Sequence, residues 1–189
     1  MSVSTNDLKN GITLDLENDG LWTVVEFQHV KPGKGGAFVR TKLRNVKTGA
    51  VIERTFNAGV KIGLAIVERK QMQYLYSDGM DFVFMDPDSF DQVHVPPEVM
   101  GEAAKYLVEG TDGQVSMHQG VPIALELPAS VVLTITETAP GAKGDTKTGA
   151  SKPATVQTGA VVNVPLFVEE GEKIKVDTRS GDYIERVKG

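Results

Sequence analysis

Residues 22–46 read WTVVEFQHVKPGKGGAFVRTKLRNV and contain two strand-like runs, 22–30 and 37–46, joined by a short loop. In the middle of the loop is Lys34, whose neighbours are a proline and three glycines: Pro32, Gly33, Gly35 and Gly36. Proline restricts the backbone, and glycine removes side-chain bulk. The stretch therefore predicts a β-hairpin with Lys34 at a thin tip, which can enter a narrow site where a lysine with bulky neighbours would clash.

The loop and the strand that follows it are strongly basic. They hold six basic residues and no acid: Lys31, Lys34, Arg40, Lys42, Arg44 and Lys47. Alternate residues of a strand share a face, so Arg40, Lys42 and Arg44 are expected about 6.6 Å apart on one face. Val39 and Leu43 then face a core. The pattern predicts a strand that packs on one side and presents positive charge to phosphate on the other. A solvated basic strand with an ordinary Pro-Gly turn is the alternative.

Composition limits the class of protein. The chain has 189 residues, of which 40% are hydrophobic and 24% charged, which is typical of a soluble globular protein. It has no cysteine, which excludes disulfides, thiol nucleophiles and Cys-based zinc sites. The N-terminus lacks the pattern of a signal peptide, and no apolar run approaches the roughly 20 residues of a membrane span. We expect a cytoplasmic protein without membrane association.

Charge is uneven along the chain. Residues 1–65 carry nine Lys or Arg against six Asp or Glu, residues 66–128 carry three against eleven, and residues 129–189 carry eight of each. A general nucleic-acid binder is basic throughout. We therefore expect any RNA contact to be concentrated in the first block.

The remaining sequence predicts short strands separated by turns. Turn pairs such as Asp78-Gly79 and Ser180-Gly181 recur at uneven intervals, as in small β-barrels with loops of mixed length. Alternating apolar and polar residues at 121–127 and 133–136 support this class. Residues 72–76 and 82–85 predict a hairpin. We place three small domains at 1–65, 66–128 and 129–189.

One segment predicts a helix. Pro96, Pro97 and Glu98 open it, and the run continues to residue 108. Four residues share its apolar face: Met100, Ala103, Ala104 and Leu107. We expect this helix to close one end of a barrel.

The sequence offers little for catalysis or metal binding. The three histidines, His29, His94 and His118, lack metal-ligand spacing. Residues 86–91 are rich in Asp but lack the glycine and closing glutamate of a calcium loop, which favours a solvated turn. Residues 144–149 contain Gly, Thr and Lys in the wrong order for a phosphate loop. We therefore predict no enzyme activity, no metal and no cofactor.

Three stretches together resemble bacterial translation elongation factor P over essentially the whole chain. The first is KPGKG at 31–35, followed by AFVR at 37–40. The second runs from KPA at 152–154 to VNVPLFVEEG at 162–171, and the third is TRSGDYIER at 178–186. A match at so many positions is specific, whereas PGKG alone would not be.

The resemblance implies a fold and a function. It implies an SH3-like (KOW-type) domain followed by two OB-folds, in an L-shaped, tRNA-like outline. It also implies a monomer that binds the ribosome between the peptidyl and exit sites and relieves stalling at consecutive prolines. Lys34 would lie beside the CCA end of the peptidyl-tRNA, where positioning lowers an entropic barrier and the ribosome performs the chemistry.

The resemblance and the charge pattern together assign residues to partners. Contacts to tRNA or ribosomal RNA are expected from the tip and its strand: Lys31, Pro32, Gly33, Lys34, Gly35, Arg40, Lys42 and Arg44. A loop is expected at the exit-site mRNA codon: Gly144, Asp145 and Thr146. Tyr183 and Arg186 are expected against ribosomal or tRNA surface. The charge of the acidic middle block, and not the resemblance, favours a contact with ribosomal protein. Lys34 is a candidate target for a lysine-modifying enzyme. The position of Gly36 looks variable among relatives, so it does not identify which enzyme that would be.

Three alternatives stay open. A paralogue similar to elongation factor P would act on different client sequences. A general OB-fold RNA-binding protein or chaperone would stack bases on exposed aromatic residues, which make up only 6% of this chain. An unknown hydrolase is the third alternative.

Overall fold

The computed structural model describes residues 1–141 and 149–189. Within these ranges the chain consists mainly of β-strands, arranged in three sheets with short helical segments between strands. This confirms the predicted all-β class. The chain divides into two compact units, Met1–Arg69 with Ser116–Ala124 and Lys70–Val115 with Leu125–Gly189. The three domain ranges and the tRNA-like outline stay predictions.

The first sheet contains the lysine hairpin. Its strands are β1 (Ser2–Ser4), β2 (Thr13–Asp15), β3 (Leu21–Val30), β4 (Phe38–Asn45), β5 (Val51–Asn57) and β6 (Lys61–Ala65). They pair antiparallel in the order β1-β6-β2-β3-β4-β5. Short 3-10 helices occur at Thr5–Asp7 and Glu17–Asp19. Seven buried side chains form its core: Leu8, Leu14, Trp22, Val24, Val39, Leu43 and Ile62.

Strands β3 and β4 confirm the two predicted runs. Their register pairs Val30 with Phe38 at the end nearest the loop, and β4 pairs with β5 on its other side. Val39 and Leu43 are fully buried. Thr41 lies between them and is also buried, and its hydroxyl donates to the Arg54 carbonyl at 2.6 Å, so no polar group is left without a partner there.

The second sheet is built from five strands: β7 (Glu68–Ser77), β8 (Phe82–Met85), β9 (Gln92–Val95), β10 (Asp112–His118) and β11 (Val121–Glu126). Their order is β11-β10-β7-β8-β9. Antiparallel pairing of Tyr74 with Phe84 confirms the hairpin predicted at 72–76 and 82–85. Its turn is held by Asp78, whose carboxylate accepts from the N–H groups of Met80 and Asp81.

The predicted continuous helix after residue 96 is wrong. The structure has a single α-helical turn, α1 (Pro97–Met100), followed by a 3-10 helix at Gly101–Tyr106. Gly101 has φ +51° and interrupts the α-helical hydrogen bonding. The apolar face is retained, since Met100 and Leu107 are both buried. No helix in the described ranges is long and apolar enough to cross a membrane.

The third sheet contains the last five strands: β12 (Ser130–Thr138), β13 (Ser151–Val156), β14 (Val161–Pro165), β15 (Lys173–Asp177) and β16 (Tyr183–Val187). They pair antiparallel in the order β14-β13-β12-β15-β16. Leu133 and Ile135 alternate inward as predicted. Tyr106 and Val108 pack against this core from outside the sheet. Complete burial of an apolar side chain such as Leu133 or Ile135 stabilises the fold by roughly 1.5–3 kcal/mol.

Tyr106 lies close to Gly181 in the turn between β15 and β16, and this contact leads to a prediction about stability. Gly181 has φ +78°, and a Cβ added there would lie 2.6 Å from the Tyr106 hydroxyl. Gly159 is a matched control in the same unit, since its φ is +87° and an added Cβ meets nothing within 4 Å. We expect Gly159→Ala to lower the free energy of unfolding by about 1–2 kcal/mol through backbone strain alone, and Gly181→Ala to lower it further. Tyr106→Phe combined with Gly181→Ala should recover the difference in urea unfolding. Equal losses for both glycines would contradict the contact.

A second prediction concerns acid stability. Hydrogen bonds from the Ser180 and Arg179 N–H groups lower the pKa of Asp177, and turn N–H groups likewise lower the pKa of Asp78 and Asp86. A lowered carboxyl pKa stabilises the folded state above the unfolded value of about 3.9, and this stabilisation is lost as the pH falls through the folded value. Asp177→Asn keeps an acceptor oxygen but does not titrate. Its free energy of unfolding should therefore fall less steeply than that of the wild type between pH 5 and pH 2 (roughly the titration range of the carboxyl groups). The free energy of unfolding is measured by urea unfolding at each pH. If it falls equally steeply with pH for Asp177→Asn and for the wild type, this account is refuted.

Candidate nucleic-acid interface

The loop between β3 and β4 extends beyond the last paired residues. Val30 and Phe38 are the final pair of the hairpin, and all seven residues from 31 to 37 are exposed. Lys34 is the central residue of these seven. The structure thus places it at the tip of a hairpin, as predicted, and no core packing surrounds its side chain.

The three loop positions occupied by glycine differ in whether the backbone needs glycine there. Gly35 has φ +102°, a conformation that other residues rarely adopt, so the loop itself needs glycine there. Gly33 and Gly36 lack such a φ, and a Cβ at either would meet nothing within 4 Å. Within the chain there is room for a side chain at Gly33. A requirement for glycine at that position would therefore come from a binding partner.

The strand β4 presents its cations as predicted. Arg40, Lys42 and Arg44 are all exposed on the face opposite the buried Val39 and Leu43. Among the described residues, none of the three cations lies within 4.0 Å of a carboxylate oxygen. They belong to the same exposed face, which leads from the hairpin tip along the sheet.

Sequence reasoning missed the acids on the neighbouring strands. Glu26 of β3 and Glu53 of β5 are the residues directly opposite Lys42, one on each side. Both are exposed. The absence of acids from residues 31–47 of the sequence therefore does not make an acid-free surface, because strand pairing brings two acids to the middle cation.

The neighbours of the two arginines are uncharged. Arg40 pairs with Gln28 and Thr55, and Arg44 pairs with Thr23 and Val51. Positive charge on this face is therefore concentrated at its two ends. The nearby Arg54 is already engaged, since its guanidinium lies 2.8 Å from the Asp19 carboxylate and 5.3 Å from the Phe56 ring centre.

The second predicted contact region lies on β16. The Arg186 guanidinium lies 3.2 Å from a Glu172 carboxylate oxygen and 5.0 Å from the centre of the Phe167 ring. Tyr183 is partly buried and packs against the core of the third sheet. Both side chains therefore have structural contacts. The Phe167 ring, which the sequence did not single out, is 58% exposed beside Arg186.

The predicted codon-contacting residues, Gly144, Asp145 and Thr146, lie outside the described residues. Lys152, beside that segment, is buried, and its amine donates to the Ala139 carbonyl. This hydrogen bond links β13 to the residue that follows β12.

Acids and histidines form one compact group among the described residues. Ligand atoms of Asp78, Asp81 and His94 lie within 4.8 Å of one another. Two backbone N–H groups already occupy the Asp78 carboxylate, and the His94 Nδ1 lies 3.5 Å from it. These contacts are those of a hairpin turn with an adjacent histidine. At residues 86–91 the structure likewise has a turn, in which the Asp86 carboxylate accepts from the Asp88 N–H, as predicted.

Comparison with known proteins gives three family matches in chain order. Residues 4–62 match the elongation factor P KOW-like domain, residues 67–125 the elongation factor P OB domain, and residues 131–186 the elongation factor P C-terminal domain. These matches confirm the predicted SH3-like (KOW-type) and OB-fold class.

Solved structures support the same fold. Translation initiation factor 5A from Methanococcus jannaschii is 21% identical with a TM-score of 0.53, covering 68% of this chain and 94% of that protein. An initiation factor 5A family protein from Naegleria fowleri is 19% identical with a TM-score of 0.52, covering 67% and 98% respectively. At this identity the likeness concerns the fold alone.

Full-length relatives are much more similar. Elongation factor P of Frankia casuarinae is 61% identical over 184 residues, which cover 97% of this chain and 98% of the relative. Elongation factor P of Salinispora tropica is 61% identical over 183 residues, with the same coverage. That of Streptomyces coelicolor is 59% identical over 184 residues, again 97% and 98%. With family matches along its length and relatives of this identity, the chain belongs to the elongation factor P family of translation factors.

Proposed function

We propose that this protein binds the ribosome between the peptidyl and exit sites and relieves stalling at consecutive prolines. In this proposal Lys34 contacts the CCA end of the peptidyl-tRNA. The observation that supports it most directly is the exposed hairpin tip, in which a lysine projects beyond the last paired residues between glycines. Membership of a translation-factor family supplies the context.

The proposed mechanism is positioning. Proline is a constrained partner in peptide-bond formation, and a tRNA end held in a productive pose reacts with a smaller loss of entropy. An ammonium group is a compact point charge that suits phosphate contact. The protein in this account is not an enzyme: it supplies no reacting group, and the ribosome performs the chemistry. Arg40 and Arg44 would add phosphate contacts that hold the hairpin in place.

Further partners belong to the same proposal. The segment with Gly144, Asp145 and Thr146 would contact the mRNA codon in the exit site, and Tyr183 with Arg186 would face ribosomal or tRNA surface. Residues 66–128 are acidic and would repel RNA phosphate, so they suit a basic ribosomal protein. Lys34 is a candidate target for a lysine-modifying enzyme. The protein would act in the cytoplasm as a monomer, without a cofactor.

Replacing the tip lysine tests the proposal. We expect Lys34→Ala to slow synthesis through a triproline sequence by at least about tenfold in a reconstituted translation system, equivalent to about 1.4 kcal/mol of barrier, and to leave a triphenylalanine sequence unchanged. Lys9→Ala removes another exposed lysine of the same unit, outside the hairpin, and serves as the matched control.

Both lysine variants should keep the wild-type melting temperature. Triproline synthesis by Lys34→Ala as fast as by Lys9→Ala would refute the role of the tip. Equal slowing of triproline and triphenylalanine would refute the proline specificity. Ribosome profiling of a deletion strain adds a separate check, since pauses away from consecutive prolines would favour a paralogue with other client sequences.

The glycines test whether the tip enters a narrow site. Gly33→Ala is unstrained within the chain and meets no neighbour, so we expect the free energy of unfolding to stay within about 0.5 kcal/mol of wild type. Its triproline activity should nevertheless fall, because the added methyl group occupies space that the partner needs. Gly36→Ala makes the same change two residues beyond Lys34, at the position that the resemblance marks as variable, and should retain activity. Wild-type activity of Gly33→Ala would show that the site is wider than proposed.

A further inference from the structure

The exposed face of β3, β4 and β5 has three rows of paired residues, one across each cation of β4. Gln28, Arg40 and Thr55 form the first row. Glu26, Lys42 and Glu53 form the second. Thr23, Arg44 and Val51 form the third. The two outer rows each carry one positive charge, whereas the middle row carries one positive and two negative charges.

The middle row is exposed, and its groups are close without forming ion pairs. Directly opposite residues in antiparallel strands have Cβ atoms about 4.5–5.5 Å apart. No carboxylate oxygen of Glu26 or Glu53 lies within 4.0 Å of the Lys42 amine in the structure as described. At such separations in water the attraction is weak, about 1 kcal/mol or less. The acids therefore contribute little to the fold, while they change the charge that an approaching phosphate meets at Lys42.

We propose that Glu26 and Glu53 are specificity determinants, which prevent Lys42 from binding RNA phosphate indiscriminately and leave Arg40 and Arg44 as the phosphate-binding groups of this face. Lys42 would then not be the RNA contact that the charge pattern of the sequence predicts. The proposal rests on the proposed function, since it takes this face to be the one that meets RNA. Arg40 and Arg44 are four residues apart, about 13 Å along the strand. A target that places phosphates at Arg40 and Arg44 but none at Lys42 retains both contacts, whereas an RNA strand that follows β4 meets repulsion at the centre.

The physical basis is that phosphate contacts alone carry no sequence information. Every lysine or arginine that neutralises a phosphate releases counterions and increases affinity for any RNA. Discrimination can then come from a repulsive element against unwanted partners. Two carboxylates beside the middle lysine supply such an element, because an RNA phosphate at Lys42 would also approach both of them.

The test uses the full chain and an oligouridylate, with affinity measured by fluorescence anisotropy at several salt concentrations. Glu26→Gln combined with Glu53→Gln should raise the affinity for oligouridylate by about fivefold at low salt, and should steepen the dependence of log affinity on log salt by about 0.7, the value for one added phosphate contact on a single strand. Asp7→Asn combined with Glu17→Gln removes the same charge from exposed acids of this unit outside the three rows, and is the matched control.

Lys42→Gln tests whether the gain in affinity arises at Lys42. In the wild-type chain we expect this substitution to leave oligouridylate affinity nearly unchanged, because Lys42 does not bind phosphate there. In the chain that already carries Glu26→Gln and Glu53→Gln, it should abolish the gain. Such non-additivity reports coupling between Lys42 and the two acids.

Two results would overturn the proposal. One is an oligouridylate affinity of the Glu26→Gln, Glu53→Gln variant equal to that of the Asp7→Asn, Glu17→Gln control. The other is a gain in affinity that Lys42→Gln does not remove, which would show a general charge effect. The assay contains neither ribosome nor proline codons. Its failure is therefore distinguishable from failure of the proposed function, which the Lys34→Ala comparison measures separately.

Discussion

The pairing of β3 with β4 is the interaction on which the rest of the candidate site depends. It pairs Val30 with Phe38 and Gln28 with Arg40, which makes Lys34 the midpoint of the hairpin. The same register buries Val39 and exposes the cations of β4. A slip by one residue would exchange the two faces and bury the arginines. The burial of the core therefore determines both where the lysine projects and which face of the strand meets solvent.

The register also determines which charges lie side by side on the exposed face of β3, β4 and β5. The order of residues along the chain does not show this. A run without acids along one strand describes only that strand, because lateral neighbours come from residues many positions away. Lys42 illustrates this, since its two opposing acids lie sixteen residues before it and eleven residues after it. Cations of one strand can consequently differ in what they bind, although they look equivalent in the sequence.

Local patterns in the sequence located the strands of the lysine hairpin and the hairpin of β7 with β8. Alternation placed Leu133 and Ile135 inside, and turn pairs located the hairpins, because both signals act over a few residues. The helix after residue 96 failed because Gly101 adopts a left-handed conformation that an apolar period cannot reveal. The stacking of Arg186 on Phe167 depends on the packing of β16, and the close approach of Gly181 to Tyr106 joins residues far apart in the chain. Neither has a periodic signature.

The glycines make the loop at the tip narrow, but they also increase the conformational entropy that is lost when the loop becomes ordered. Glycines leave the loop many conformations, and fixing one residue costs roughly 1–2 kcal/mol of conformational entropy. No core packing offsets this for Lys34, because every residue from 31 to 37 is exposed. Pro32 removes part of the freedom in advance, and the hairpin pairing fixes where the loop begins and ends. Under the proposed function, contacts with the partner would offset the remaining cost. The chain itself leaves room for a side chain at Gly33, so a need for glycine there would reflect a narrow partner site.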